Sequence, residues 1–246
     1  MKDRTEEIIL DSVDPCLKIS CLIRKSNRAR RINLRIRSRD KVVLTLPSRT
    51  SLLEGYSFLK QQKKWLDKNI RKFPSTCSLV QYFSNGGRVW LSESFHHLNC
   101  LSMSEQTKAF HEILNDEIRL YLPIDKIPEV GIFNFLRALA KTNLTARLSS
   151  LSSKSGSEWK KVRIGNQKSR WGSCSAKGTI SLNWRLVLLP FEIGNYVILH
   201  ELAHLRHLNH SSEFWEHLND ICPHAKLLDK KLRKEGKLII SLGHQP

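Results

Sequence analysis

Apolar and polar positions first alternate at Ile32, Leu34 and Ile36, which share one face of an extended segment while Arg31, Asn33, Arg35 and Arg37 take the other. Val42, Leu44 and Leu46 repeat that period of two until Pro47 stops it, so the two runs predict a β-hairpin around Ser38-Arg39-Asp40. The period then lengthens. Leu52, Tyr56, Leu59, Leu66 and Ile70 recur at helical intervals, with Lys60, Lys63, Lys64, Lys68, Arg71 and Lys72 on the polar surface, which predicts one amphipathic helix of about five turns. From Ser75 to Ser102 short strands are expected around the turn-forming Asn85-Gly86-Gly87. Phe110 to Leu122 reads as a helix ending at Pro123, and Phe133 to Leu148 as another, followed by a Ser- and Lys-rich loop or frayed helix end over Ser149 to Ser157.

Towards the C-terminus the pattern sharpens. Val162 and Ile164 begin a strand, Thr179 to Leu189 is a β-rich run closed by Pro190, and Phe191 to Leu208 is helical. A last helical segment carries Phe214, Leu218, Ile221, Ala225, Leu228 and Leu232 at spacings of four and three, with Pro223 expected to kink or split it. Pro123 and Pro128 suggest a linker. The expected organisation is α+β, with residues 1–123 forming a basic, β-rich N-terminal part with an amphipathic helix, and residues 124–246 forming the part that carries the chemistry below.

Composition adds charge and compartment to this picture. The chain has 246 residues, 40% of them hydrophobic, which suits a folded protein of one large domain or two small ones. Its 41 Lys plus Arg against 23 Asp plus Glu give a net charge of +18, which attracts phosphate-rich or acidic partners. Met1 to Leu10 lack the n-region and h-region of a secretory signal, and no run approaches the roughly 18 apolar residues of a membrane span. Six cysteines without a CxxC pair read as reduced thiols, so a cytoplasmic protein without membrane attachment is expected.

Inside the apolar helical run at Tyr196 to His204 stands H-E-x-x-H, formed by His200, Glu201 and His204. Residues at i and i+4 of an α-helix stack with Cβ atoms about 5–6 Å apart, which lets two imidazoles converge on one ion with Zn–N bonds of about 2.0–2.1 Å. Glu201 leans toward the same cavity and can take a proton from water activated by the ion. A catalytic zinc site needs a third protein ligand. His207, His210, Glu213, Glu216, His217 and His224 are the downstream candidates. His207 would point along the axis of a continuing helix, whereas His210 can return if the helix ends near Leu208, the chain turns at Asn209, and Ser211-Ser212 starts a new helix. His210 is the choice, with Glu213 or Glu216 as the fallback.

Arg170-Trp171-Gly172-Ser173-Cys174-Ser175, Gly178 to Leu186, His200-Glu201-Leu202-Ala203-His204-Leu205, Asn209-His210-Ser211 and Phe214-Trp215 together resemble the signature of the YgjP-like (DUF45) metal-dependent hydrolases, grouped with the SprT-like zincin metallopeptidases. The match is densest from Val162 to Leu232. The resemblance implies an α+β zincin-like metallopeptidase domain, with zinc (Zn2+) on His200, His204 and His210 and Glu201 as general base. The longer metzincin signature has glycine where this chain has His207, so that variant is set aside.

The expected function is therefore a zinc-dependent hydrolase, first of all a metallopeptidase acting on a protein or peptide substrate, with an edge strand near Trp171 to Leu186 aligning an extended peptide. A nucleotide or phosphoanhydride hydrolase is the rival enzyme, although no Gly-rich phosphate loop supports it. A nucleic-acid-binding module with structural zinc is the rival outside enzymology, and a free carboxylate at Glu201 argues against it. Arg24 to Lys41 hold nine basic residues and one acid, Asp40, which reads either as a solvated strand face or as an N-terminal face that contacts nucleic acid through its phosphates. Trp171 is expected to pack against the active-site helix, and Cys174 is not expected to act as a nucleophile.

Overall fold

A computed structural model describes residues 4–10, 17–38, 41–70, 77–104 and 108–243. The chain parts into two compact units, Met1–Thr76 and Cys77–Pro246.

In the first unit the strands β1 (Arg4–Leu10), β2 (Leu17–Ser26), β3 (Asn33–Ser38) and β4 (Lys41–Pro47) form one sheet in the order β1-β2-β4-β3. The predicted hairpin is present: β3 and β4 run antiparallel, with Leu34 opposite Leu44 and Ile36 opposite Val42. Arg39 and Asp40 of its turn lie outside the described residues, as do Arg71 and Lys72. The expected five-turn helix is two helices, α1 (Leu52–Gln61) and α2 (Lys63–Ile70). Between Leu59 and Leu66 the one apolar side chain is Trp65, which is 43% exposed, so no burial holds the turn at Gln62 straight. Leu59, Leu66 and Ile70 nevertheless bury with Ile19, Ile23, Val42, Leu44 and Leu46 in a core that belongs to this unit.

The second unit begins with a helix where a strand was expected: α3 (Leu79–Ser84), started by a capping box between Ser78 and Gln81. Strands β5 (Arg88–Leu91), β6 (Ser94–Met103), β7 (Phe110–Ile113) and β8 (Glu117–Pro123) follow, ordered β5-β6-β8-β7. Phe110 to Leu122 is thus a hairpin and not a helix. Ile118, Leu120 and Leu122 bury at every second position, and Leu114 closes the turn by donating its N–H to the Glu117 carbonyl at 2.8 Å. Helix α4 (Pro128–Ser155) is longer than expected at both ends. The serine-rich stretch stays helical because Leu148 and Ser152 are buried, and the helix stops at Gly156, whose φ of +61° costs glycine little.

Strands β9 (Lys161–Gly165), β10 (Gly172–Cys174) and β11 (Thr179–Asn183) make a three-stranded sheet in the order β10-β11-β9. The β-rich run expected to reach Leu189 stops at Asn183, whose side-chain oxygen accepts from the Arg185 N–H and starts a 3-10 turn over Trp184–Leu188. Helices α5 (Phe191–Ala203), α6 (Ser212–Ile221) and α7 (Ala225–Ile239) complete the fold, the last two split at Pro223 as the sequence predicts. The expected boundary at 123/124 is not where the chain parts. Val89, Leu98, Ile118 and Leu120 share one core with Leu136, Ile180, Ile193 and Leu202, which binds the strands before Pro123 to the helices after it.

Candidate metal centre

Helix α5 is buried on nearly every face, with Ile193, Tyr196, Val197, Ile198, Leu199 and Leu202 all in the core. Its first turn is held by Arg147 of α4, which donates to the Asn195 side-chain oxygen at 2.9 and 2.7 Å and to the Phe191 carbonyl at 2.9 Å. Such anchoring fixes where its last turn, with His200, Glu201 and His204, stands.

The helix ends at Ala203, earlier than the Leu208 expected from sequence. Leu205, Arg206 and His207 donate back to the carbonyls of Leu202 and Ala203, and the His204 Nδ1 lies 2.9 Å from the His207 carbonyl oxygen. No buried side chain draws the helix further, since Arg206 is exposed and Leu208 is 64% exposed. The chain turns over His204–Arg206 and bends again at Leu208–Asn209, where the sequence expects a turn, and this brings His210 back, with its Nε2 3.0 Å from the Nε2 of His200. Ring centres of the three histidines are 4.7–5.0 Å apart. Phe214 of α6, fully buried, packs its ring 4.6–5.0 Å from each of them.

One potential ligand atom from each of His200, His204 and His210 lies within 4.8 Å of the others, so the three could hold a metal ion. Two ligands at about 2.0–2.1 Å from a tetrahedral ion stand about 3.3 Å apart, close to the His200–His210 separation. Imidazoles must be neutral to ligate. Burial, reinforced by the charges of His204 and His210, pulls His200 down to about 4, and burial also lowers His204. With its Nδ1 turned to the His207 carbonyl, His204 keeps its Nε2 for a ligand role. The Tyr196 hydroxyl lies 3.5 Å from the His200 Nδ1 and donates to Asp229 Oδ1 at 3.3 Å, while Asp229 accepts from Arg233 at 2.8 Å. Neither Tyr196 nor Asp229 stood out in the sequence. The available signal was that Tyr196 sits four residues before His200, on the same helical face.

Glu201 is 5% exposed and its Oε2 has no hydrogen-bond partner among the described residues. Burial pushes its carboxyl up to about 8, against the opposing charge of Arg170. Strand β10 lies directly on it: a Cβ at Gly172 would come 2.5 Å from Glu201 Oε1, so only glycine leaves the carboxylate this place. Asn183 holds the segment before β10, its side chain donating to the Gln167 and Arg170 carbonyls at 2.9 and 3.0 Å.

The other candidates go elsewhere. The His207 ring lies 5.7 Å from that of His217, the Glu213 carboxylate bonds Ser211 and Ser212, Glu216 is exposed, and His224 starts α7 at a φ of +64°. Trp171 is partly buried at the edge of the core, with its ring close against Gly236 of α7. Cys174 stays a thiol, its pKa pushed up to about 11 by burial and the nearby Glu201.

No curated protein is significantly similar to the chain. A solved structure similar to part of it is that of the metallopeptidase zymogen abylysin of Pyrococcus abyssi, with 31% sequence identity over 37% of this chain and 94% of that one, and a TM-score of 0.34. The YgjP-like metallopeptidase domain matches residues 30–235, which include the histidine cluster, Glu201 and the strands beside them. On that match the chain belongs to the YgjP-like metallopeptidase family.

Proposed function

We propose that the chain is a zinc-dependent peptidase in which His200, His204 and His210 hold the ion and Glu201 is the general base. The observation that carries this reading is a buried, unpartnered carboxylate next to three imidazoles whose nitrogens converge. An unpaired buried carboxyl costs several kcal/mol of lost solvation, about 2–7 on transfer scales, and a structural site has no use for it. When bound, zinc supplies Lewis acidity and brings the pKa of water at the open position toward about 7.

The remaining work falls to this chain's own groups. A cation beside Glu201 favours its ionised form, which burial alone disfavours. The carboxylate then accepts a proton from the attacking water and returns it to the departing amine. Tyr196, held by Asp229, orients His200 through Nδ1. The substrate is a protein or peptide, and β10, at the edge of its sheet, can align an extended segment by backbone pairing. The reading places the activity in the cytoplasm: Cys21, Cys77, Cys100, Cys174 and Cys222 are free thiols, and no described helix is long and apolar enough to cross a membrane.

The test is Glu201→Gln. The variant should fold and retain zinc while its turnover of unfolded protein and peptide substrates falls about 10²–10⁴-fold. Parent-level turnover in the zinc-loaded variant would remove the general-base role, and hydrolysis confined to nucleoside triphosphates would overturn the peptidase reading.

A further inference from the structure

Outside the metal centre the strongest concentration of unused chemistry is in the first unit. Arg24, Arg28, Arg30, Arg31, Arg35 and Arg37 line a cavity of about 560 Å3 and are all exposed. Its size falls in the range of about 300–1,000 Å3 that ordinarily takes a small ligand or part of a larger one. No acidic side chain lines it, and among the described residues none of the six guanidiniums is in an ion pair. Like charges this close repel, yet the fold forces them together. Leu34 and Ile36 face Leu44 and Val42 in the hairpin and fix its register, which puts Arg35 on the opposite face of β3, while Arg37, at the register shift between Ile36 and Ser38, also lines the cavity. In the same way Arg24, Thr45 and Asn33 fall in one row across β2, β4 and β3.

We propose that this cavity binds the phosphodiester backbone of single-stranded nucleic acid, without regard to sequence. Guanidinium forks match phosphate bidentately, and Ser26, Asn33 and Thr45 complete the donor set that proteins use on phosphate and sugar. The apolar lining is limited to Ala29 and Val43, with no aromatic ring on which a base could stack. An acidic peptide would also satisfy the charge. Peptide sites, however, add pockets for alternate apolar side chains, and this cavity has none. A cavity of about 560 Å3 holds a short run of one strand's phosphates and is too small to take in a duplex.

The experiment is a fluorescence-anisotropy titration of the full chain with labelled oligo-dT and oligo-rU across a salt series. Both should bind, more weakly as salt rises, and the tighter of the two names the sugar. Replacing Arg31, Arg35 and Arg37 together by Gln should flatten the log K against log salt slope by about 0.7 per lost contact, about 2 in all. The same positions changed to Lys keep the charge and should keep most of the slope, and this variant carries the test if the Gln variant unfolds. Replacing the exposed Lys60, Lys64 and Lys68 by Gln removes equal charge from α1 and α2 and should change the slope much less. Equal losses from the Arg→Gln and Lys→Gln variants, or no loss from either, would overturn the site. Binding of an oligo-glutamate peptide without binding of either oligonucleotide would reassign it to acidic protein segments.

Discussion

Burial sets opposite demands on Glu201 and His200 at the scale of single side chains. In the metal-free chain the Glu201 carboxyl is raised from 4.5 to about 8, so the folded state keeps a proton that the unfolded state releases, and stability is lost as pH rises through that window. His200 is lowered from 6.5 to about 4, so its contribution is present above 6.5 and lost as pH falls toward 4. The two oppose each other below 6.5, which leaves Glu201 acting alone from about 6.5 to 8. Urea unfolding of the metal-free chain should show stability falling across that interval, and Glu201→Gln should flatten the fall. An identical decline in both proteins would place its cause elsewhere. The ligand assignment makes a separate prediction. His200→Ala, His204→Ala and His210→Ala should each lose most of their zinc on dialysis, whereas His207→Ala and His217→Ala should keep it. Stoichiometric zinc in His210→Ala would pass the third position to Glu213 or Glu216.

Elements contribute by bringing those side chains to one place. The His200–Glu201–His204 spacing could be read directly because it depends only on helical geometry. The site of the helix end could not, because it depends on what stops being buried after Ala203. Phe214 of α6 supports all three imidazoles, so Phe214→Ala should cost about 3–5 kcal/mol of stability and loosen zinc binding with it. Tyr196→Phe leaves the packing and removes the hydroxyl near His200 Nδ1, so a loss of roughly 10–100-fold in zinc affinity with little change in melting is expected. Unaltered affinity, measured by chelator competition, would reduce Tyr196 to packing. The misread elements share a cause. Phe110 to Leu122 carries apolar residues that fit either period, and burial of Ile118, Leu120 and Leu122 on one face decided for strands.

For the whole molecule, two separate cores imply two cooperative units. Calorimetry of the full chain should resolve two transitions, and residues 77–246 expressed alone should fold and bind zinc at the stoichiometry of the full chain. A fragment that neither folds nor binds would make the first unit a part of the second's stability. The boundary lay where the sequence gives little notice. Pro123 and Pro128 look like a linker, but they end β8 and start α4, two elements of the same core.

Local rules were enough to determine the α+β class, the hairpin at Asn33–Pro47, the split at Pro223, the H-E-x-x-H pair and the candidacy of His210. Each rests on periodicity, on proline's missing N–H or on the fixed rise of a helix, which neighbours in the chain decide between themselves. Tertiary structure alone decided the placement of Gly172 against Glu201, the seating of three imidazoles on Phe214, the contact of Tyr196 with Asp229, and the gathering of six arginines around one cavity. Those depend on burial and close approach between segments distant in sequence, and no local pattern encodes which distant side chain will fill the space beside a given residue.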